Sequence, residues 1–299
     1  MIRRRFTCLL LAVVILAIGL VVRPSAQEPT VAVFKSAVER VAVAAIVRDS
    51  RGRMVHNLSA SDFELLDNGR TRSLIGAWSE PSPASVAILM DVSGSMATKM
   101  ARARETANLL GSGLKSGIDE VGLYAFDTTL QEVRPFSKRF STEGAWDATR
   151  AYGATSLWDA VAATAKEVAA RQQRRALIVI TDGVDSASTL TPAEVSNIAS
   201  RLDVPVYMLV VTFDLENDQN PDVVLGPLAD LASWTGGDSM AIRDSPSAIE
   251  ATRQVLSELQ HQYVIAFEPD KTPGWHPLVL RTRKPGLFVR TRSGYVVNP

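Results

Sequence analysis

Beyond residue 8 this chain contains no cysteine. Disulfides, thiolate catalysis and cysteine-bound metals are therefore excluded, and stability must come from packing. Histidine is scarce too, with only His56, His261 and His276. Charge shows no bias: 32 basic residues balance 32 acidic ones. Nucleic acid needs a basic footprint, so it is not an expected partner. Long apolar runs are missing after the first two dozen residues, which leaves no later segment able to span a bilayer. Internal repeats and low-complexity tracts are absent as well.

The amino terminus differs from the rest. Arg3, Arg4 and Arg5 precede an apolar stretch from Phe6 to Val22, followed by Arg23-Pro24-Ser25-Ala26. A basic start, an apolar centre and small residues at the exit describe a secretory signal over residues 1–26. The stretch is also close to the shortest membrane span, so a retained amino-terminal anchor, a tether through residues 6–22, is the alternative. Either way the remainder is expected outside the cytoplasm, secreted or periplasmic. Residues 1–26 hold four arginines and no acidic residue, so their removal leaves a net negative chain.

Three regions follow. Residues 31–80 read as β, with a β-branched run at Val41–Val47 and a hairpin signal at Asn68-Gly69. Glu80-Pro81-Ser82-Pro83 reads as a linker. Residues 84–261 alternate strand and helix. Strands are predicted at Val86–Met90, Glu120–Phe126, Ala176–Thr181, Val206–Val211 and Ser239–Ile242, with an antiparallel edge strand at Leu130–Arg134. Helices are predicted at Ala97–Leu114, Leu157–Gln172, Pro192–Arg201, Val223–Trp234 and Pro246–Gln260. Continuously apolar strands such as Leu177-Ile178-Val179-Ile180 imply a mainly parallel sheet covered by helices on both faces. Residues 262–299 return to β and are too short for a core of their own. They are expected to pack with residues 31–80, making the α/β domain an insertion in a small β-sandwich.

Sheets of this kind bind ligands beyond the carboxyl ends of their strands. Asp91-Val92-Ser93-Gly94-Ser95 stands at such an end, directly after the apolar run Ser85–Met90. Thr155 lies in a loop before a helix, and Asp182 follows the strand ending at Ile180. Two carboxylates and three hydroxyls are hard oxygen donors, suited to a hard divalent cation.

In this order the residues resemble the metal-ion-dependent adhesion site of the von Willebrand factor type A domain. The pattern Asp-x-Ser-x-Ser is matched by Asp91, Ser93 and Ser95, the later Thr by Thr155 and the later Asp by Asp182. The resemblance covers residues 84–261 and implies a Rossmann-like α/β fold. The flanks resemble those of secreted bacterial proteins related to that family, through Val47–Gly52, Asp62–Leu65 and Arg292–Tyr295. One departure is Gly153-Ala154, where the family often has two glycines.

The resemblance implies direct metal contact from Ser93, Ser95 and, in some states, Thr155, with Asp91 and Asp182 acting through water. It implies Mg²⁺, with Mn²⁺ or Ca²⁺ as alternatives, since all accept oxygen ligands. The expected function is a secreted adhesion module that captures an Asp or Glu carboxylate of a protein partner. The alternative is a scaffold whose metal site is structural or inactive. No small-molecule substrate is expected.

An enzyme is not expected. No histidine falls on a predicted strand-end loop of the α/β sheet, and Ser93 lacks the glycine pattern of a nucleophile elbow. Asp127 and Asp159 stand near the same edge and are read mainly as turn and helix-start residues. The acidic run 214–222 is read as a solvated loop. Arg281, Arg283, Arg290 and Arg292 alternate along the last strands and are read as a solvated sheet face. Trp146, Trp158, Trp234 and Trp275 are read as packing residues.

Overall fold

The β-rich amino-terminal region begins with Val41–Asp49 (β1), whose alternate residues Val43, Ala45 and Val47 are buried. Phe63–Asp67 (β2), Arg70–Arg72 (β3) and Leu74–Trp78 (β4) follow. Asn68 and Gly69 join β2 to β3 with φ of 51° and 76°, the two left-handed positions that a tight hairpin turn needs. The structure is a computed structural model that describes residues 40–212 and 221–297. The expected signal or anchor segment, the start of the 31–80 region and most of the acidic run 214–222 lie outside the described residues.

The α/β region runs through Ala84–Asp91 (β5), Met100–Gly113 (α1), Glu120–Phe126 (β6), Leu130–Ser137 (β7), Leu157–Ala169 (α2) and Arg174–Thr181 (β8). It continues through Pro192–Leu202 (α3), Val206–Val211 (β9), Pro221–Thr235 (α4), Ser239–Ile242 (β10) and Ser245–His261 (α5). The chain closes with Tyr263–Phe267 (β11), Gly274–Thr282 (β12), Leu287–Thr291 (β13) and Gly294–Val297 (β14).

Six strands form the central sheet in the order β10-β9-β8-β5-β6-β7. All neighbours are parallel except β6 and β7, which are antiparallel. Every residue of β5 is buried, so both of its faces must be covered. Val86, Ile88 and Met90 face α1 and α5, meeting Ala103, Ala107 and Leu110 on one helix and Ala248, Val255 and Leu259 on the other. The intervening Ala87 and Leu89 face the opposite core, built with Leu157, Val161, Val195 and Leu228 from α2, α3 and α4. The period of two along β5 thus sorts its side chains into two separate cores.

This order places a switch point at β5. The chain leaves β5 for β6 on one side, while β8 lies on the other. Crevices at such a point, outside the carboxyl ends of the strands, are where open α/β sheets place their ligands.

Two antiparallel four-stranded sheets accompany the α/β layer, ordered β13-β1-β11-β4 and β14-β12-β2-β3. They share a core of Val43, Val47, Phe63, Leu65, Tyr263, Ile265, Phe267, Leu280 and Tyr295. Strands from the two ends of the chain pair directly, as β1 does with β11 and β12 with β2.

One expectation about the last strands is corrected. Arg290 and Arg292 do not lie on a solvated face. Arg290 pairs with Asp238 and with Glu258, and Arg292 Nη1 lies 2.9 Å from Asp203 Oδ1. These partners belong to the α/β layer, so Arg290 on β13 and Arg292 just after it bind two layers together. Arg281 and Arg283 are exposed. Among the tryptophans, Trp146 and Trp158 are buried, but Trp234 is half-exposed and stacks on Trp275. Among the described residues no helix is long and apolar enough to cross a membrane.

Candidate metal centre

The base of the site is Asp91, the last residue of β5 and fully buried. Its Oδ1 accepts the Ser93 amide at 2.9 Å, which folds the chain into a tight turn over the carboxylate. Its Oδ2 accepts the Thr181 hydroxyl at 2.6 Å. Thr181 ends β8, the strand on the far side of the switch point, so this bond ties the two strand ends together.

Burial raises the Asp91 pKa to about 6, against the bonds from Thr181 and Ser93, and the nearby charge of Asp182 adds to the rise. A carboxylate held this way gains from a cation beside it.

After the turn, Gly94–Met96 form a single 3₁₀ turn. The Ser93 side chain does not cap it. The Ser93 and Ser95 hydroxyls instead share a hydrogen bond at 3.1 Å. Alternation of two residues carries both hydroxyls to one side, Ser93 buried and Ser95 exposed.

The second loop is fastened to the first by its backbone. The Gly94 amide donates to the Gly153 carbonyl at 2.9 Å, and the Tyr152 amide to the Val92 carbonyl at 2.9 Å. Gly153 has φ 83°, whereas Ala154 keeps an ordinary φ. The replacement of the family's second glycine is thus accommodated without strain. Thr155 follows, almost fully buried, and its carbonyl accepts the amides of Ser186 and Ala187, each at 2.9 Å. Among the described residues nothing engages its hydroxyl.

Asp182 supplies the third loop. Its Oδ1 accepts the Val184 amide at 3.1 Å. Its Oδ2 receives Lys99 Nζ at 2.9 Å. Lys99 and Thr181 were not singled out in the sequence. Thr181 could have been found as the residue beside Asp182 on the strand end. Lys99 sits just before α1, four residues after Ser95, and no spacing rule marks it.

The other acids of this edge are structural. Asp127 Oδ1 accepts the Thr129 amide at 2.8 Å in the β6–β7 turn, while its carbonyl accepts the Ser156 amide. Asp159 accepts the amides of Thr189 and Leu190 and so holds the loop after β8. None of the three histidines lies at this edge. His276 is in the sandwich, bonded to Asp67, and the His56 and His261 rings pack on each other.

The donor set fits a hard divalent cation. Only hydroxyl and carboxylate oxygens are offered, from three loops stitched together by hydrogen bonds. Among the described residues no cluster of three or more His, Asp or Glu side chains forms a metal-binding group. The cradle therefore depends on neutral hydroxyls supplemented by two carboxylates.

An open, mainly parallel sheet with helices on both faces and oxygen donors at its switch point defines a Rossmann-like α/β domain. Residues 86–184 match the family model of the von Willebrand factor type A domain. Over that stretch the chain is similar to a von Willebrand factor type A domain, and the likeness extends to the fold of solved structures. A solved von Willebrand factor type A protein from Catenulispora acidiphila is similar at 15% identity, over 88% of this chain and 76% of its own, with a TM-score of 0.50. The conserved hypothetical protein BatB from Bacteroides thetaiotaomicron is 18% identical over 58% of this chain and 98% of its own, with a TM-score of 0.48. The pilus adhesin SpaC from Lactobacillus rhamnosus GG is 9% identical over 83% of this chain and 46% of its own, with a TM-score of 0.49. No curated protein matches the chain in sequence.

Proposed function

We propose that this protein is an extracytoplasmic binding module that captures a partner's Asp or Glu carboxylate through a divalent ion, Mg²⁺ before Mn²⁺ or Ca²⁺. The carrying observation is the hydroxyl pair of Ser93 and Ser95 beside the buried Asp91 carboxylate, with Oγ atoms 3.1 Å apart. Ser93, Ser95 and Thr155 would hold the ion, and Asp91 and Asp182 would orient the hydroxyls and bound waters. Neutral ligands leave the ion's charge incompletely cancelled, so an outside carboxylate is attracted to it.

The surroundings support a macromolecular partner. Tyr152 and Val184, next to the two outer loops of the site, are 80% and 44% exposed. Apolar side chains flanking a polar centre suit a protein surface better than a small polar solute. The basic start and apolar stretch of residues 1–26 support a place outside the cytoplasm. Neither Ser93 nor Asp91 has a histidine partner, which supports binding without catalysis.

A second reading, a scaffold with an inactive metal site, is favoured by one observation: Lys99 already neutralises Asp182. Affinity capture of partners from envelope and medium separates the two. Under the first reading, capture is lost with EDTA and restored by added Mg²⁺. Under the second, EDTA leaves it unchanged.

A further inference from the structure

Lys99 is in an unfavourable place for a helix. It stands at the amino-terminal boundary of α1, where the helix dipole is positive and a cation is repelled. It contributes no cap, since its side chain accepts nothing from the helix amides. Its ammonium reaches instead across to Asp182, 83 residues away, at 2.9 Å. The Lys99 side chain is 21% exposed and that of Asp182 only 2%, so the pair closes the outer side of a buried carboxylate. Among the described residues Lys99 Nζ makes no bond to Ser93, Ser95 or Thr155. It engages the acid while leaving the hydroxyl cradle open.

We infer that Lys99 is a built-in counter-cation that competes with the divalent ion for Asp182. This rests on the metal-centre reading and adds a regulating residue to it. Without metal, Lys99 offsets a carboxylate that burial and Asp91 would otherwise leave uncompensated. With metal, ammonium and ion repel each other across a partly buried site, so Lys99 weakens metal affinity. The same positive charge raises the potential at the mouth and favours an anionic group from a partner. Lys99 thus exchanges affinity for the ion against affinity for the anion.

The test is Mn²⁺ binding by the purified protein, followed by electron paramagnetic resonance of the free ion, together with melting temperatures in EDTA. Lys99→Met is expected to bind Mn²⁺ about tenfold more tightly than wild type while melting at lower temperature in EDTA. Lys99→Arg, which keeps the charge, is expected to stay close to wild type in both. Opposite signs for affinity and stability distinguish this role from simple structural damage, which lowers both. Lys99→Gln serves where the methionine variant does not fold. If wild type binds Mn²⁺, loses it on Ser93→Ala, and shows equal or weaker affinity as Lys99→Met, the Lys99 inference alone fails. If neither wild type nor Lys99→Met binds Mn²⁺, the metal-centre reading fails and takes the inference with it.

Discussion

Glu258 on α5 and Arg290 on β13 form an ion pair whose acid is fully buried. Arg48 Nη2 on β1 completes it, 2.5 Å from the other Glu258 oxygen. Gln254 and Asp238 extend the network through bonds to one another and to the same acid or to Arg290. The last helix of the α/β layer is thereby fixed to two strands of the sandwich. Removing one partner of a buried pair leaves a desolvated charge, which costs more than the pair contributes. Glu258→Ala is expected to lower unfolding stability by about 3–5 kcal/mol. Urea denaturation measures this, and Arg53→Ala, in a largely exposed pair with Asp49, should leave the midpoint near wild type.

His276 is expected to give the protein a pH dependence remote from the proposed metal centre. Its Nδ1 lies 2.9 Å from Asp67 Oδ1 and its Nε2 lies 2.7 Å from the Thr272 carbonyl. Both neighbours are acceptors, so only the imidazolium can donate to both. Burial pushes its pKa down, but the Thr272 carbonyl and the Asp67 carboxylate outweigh it and hold it above 6.5. A raised folded pKa means stabilisation that is complete below the unfolded value. It is lost as pH rises through the folded one. Unfolding free energy should therefore fall between about pH 6.5 and the higher folded value. His276→Gln should flatten that slope in urea titrations taken across the range.

Gly237, just before β10, has no room for a side chain. A Cβ there would meet the Val206 carbonyl oxygen at 1.9 Å. The obstacle is backbone of the neighbouring β9, which cannot rotate aside. Gly237→Ala is expected to cost about 2–3 kcal/mol, read from thermal or urea unfolding. Gly52→Ala meets no atom but forces alanine to φ 74°. It should cost less, near 1 kcal/mol, as ~1–2 kcal/mol is typical of left-handed backbone.

Asp91→Asn separates metal binding from folding. The amide oxygen can still accept the Ser93 amide, the amide nitrogen can donate to the Thr181 hydroxyl in a reversed bond, and the charge that burial disfavours is gone. Stability in EDTA is expected to stay within about 1 kcal/mol of wild type. The rise in melting temperature on adding Mg²⁺ should disappear. Differential scanning calorimetry with and without metal reads both.

Much of this organisation was legible in the sequence because the sheet is buried on both faces. Apolar runs such as Leu177–Ile180 define strands without ambiguity, and Asp91 and Asp182 stand where those runs stop. Asn68-Gly69 marked its hairpin for an equally local reason. The rest depended on contacts between distant segments. Period two placed Arg290 and Arg292 on one face but carried no information on what covers that face, which proved to be Asp203, Asp238 and Glu258. Lys99 reads as an ordinary surface lysine until β8 is seen beside β5. The short β14 carries no signal of its own, because Gly294-Tyr295-Val296-Val297 offers too few residues for alternation to show.

A crystal soaked in Mn²⁺ and measured for its anomalous signal addresses the metal centre itself. The expected result is a single ion about 2.0–2.2 Å from Ser93 Oγ and Ser95 Oγ, with Asp91 and Asp182 in hydrogen-bond reach of its waters. A well-occupied crystal with no ion between these three loops, or with Mn²⁺ held only elsewhere, would contradict the assignment.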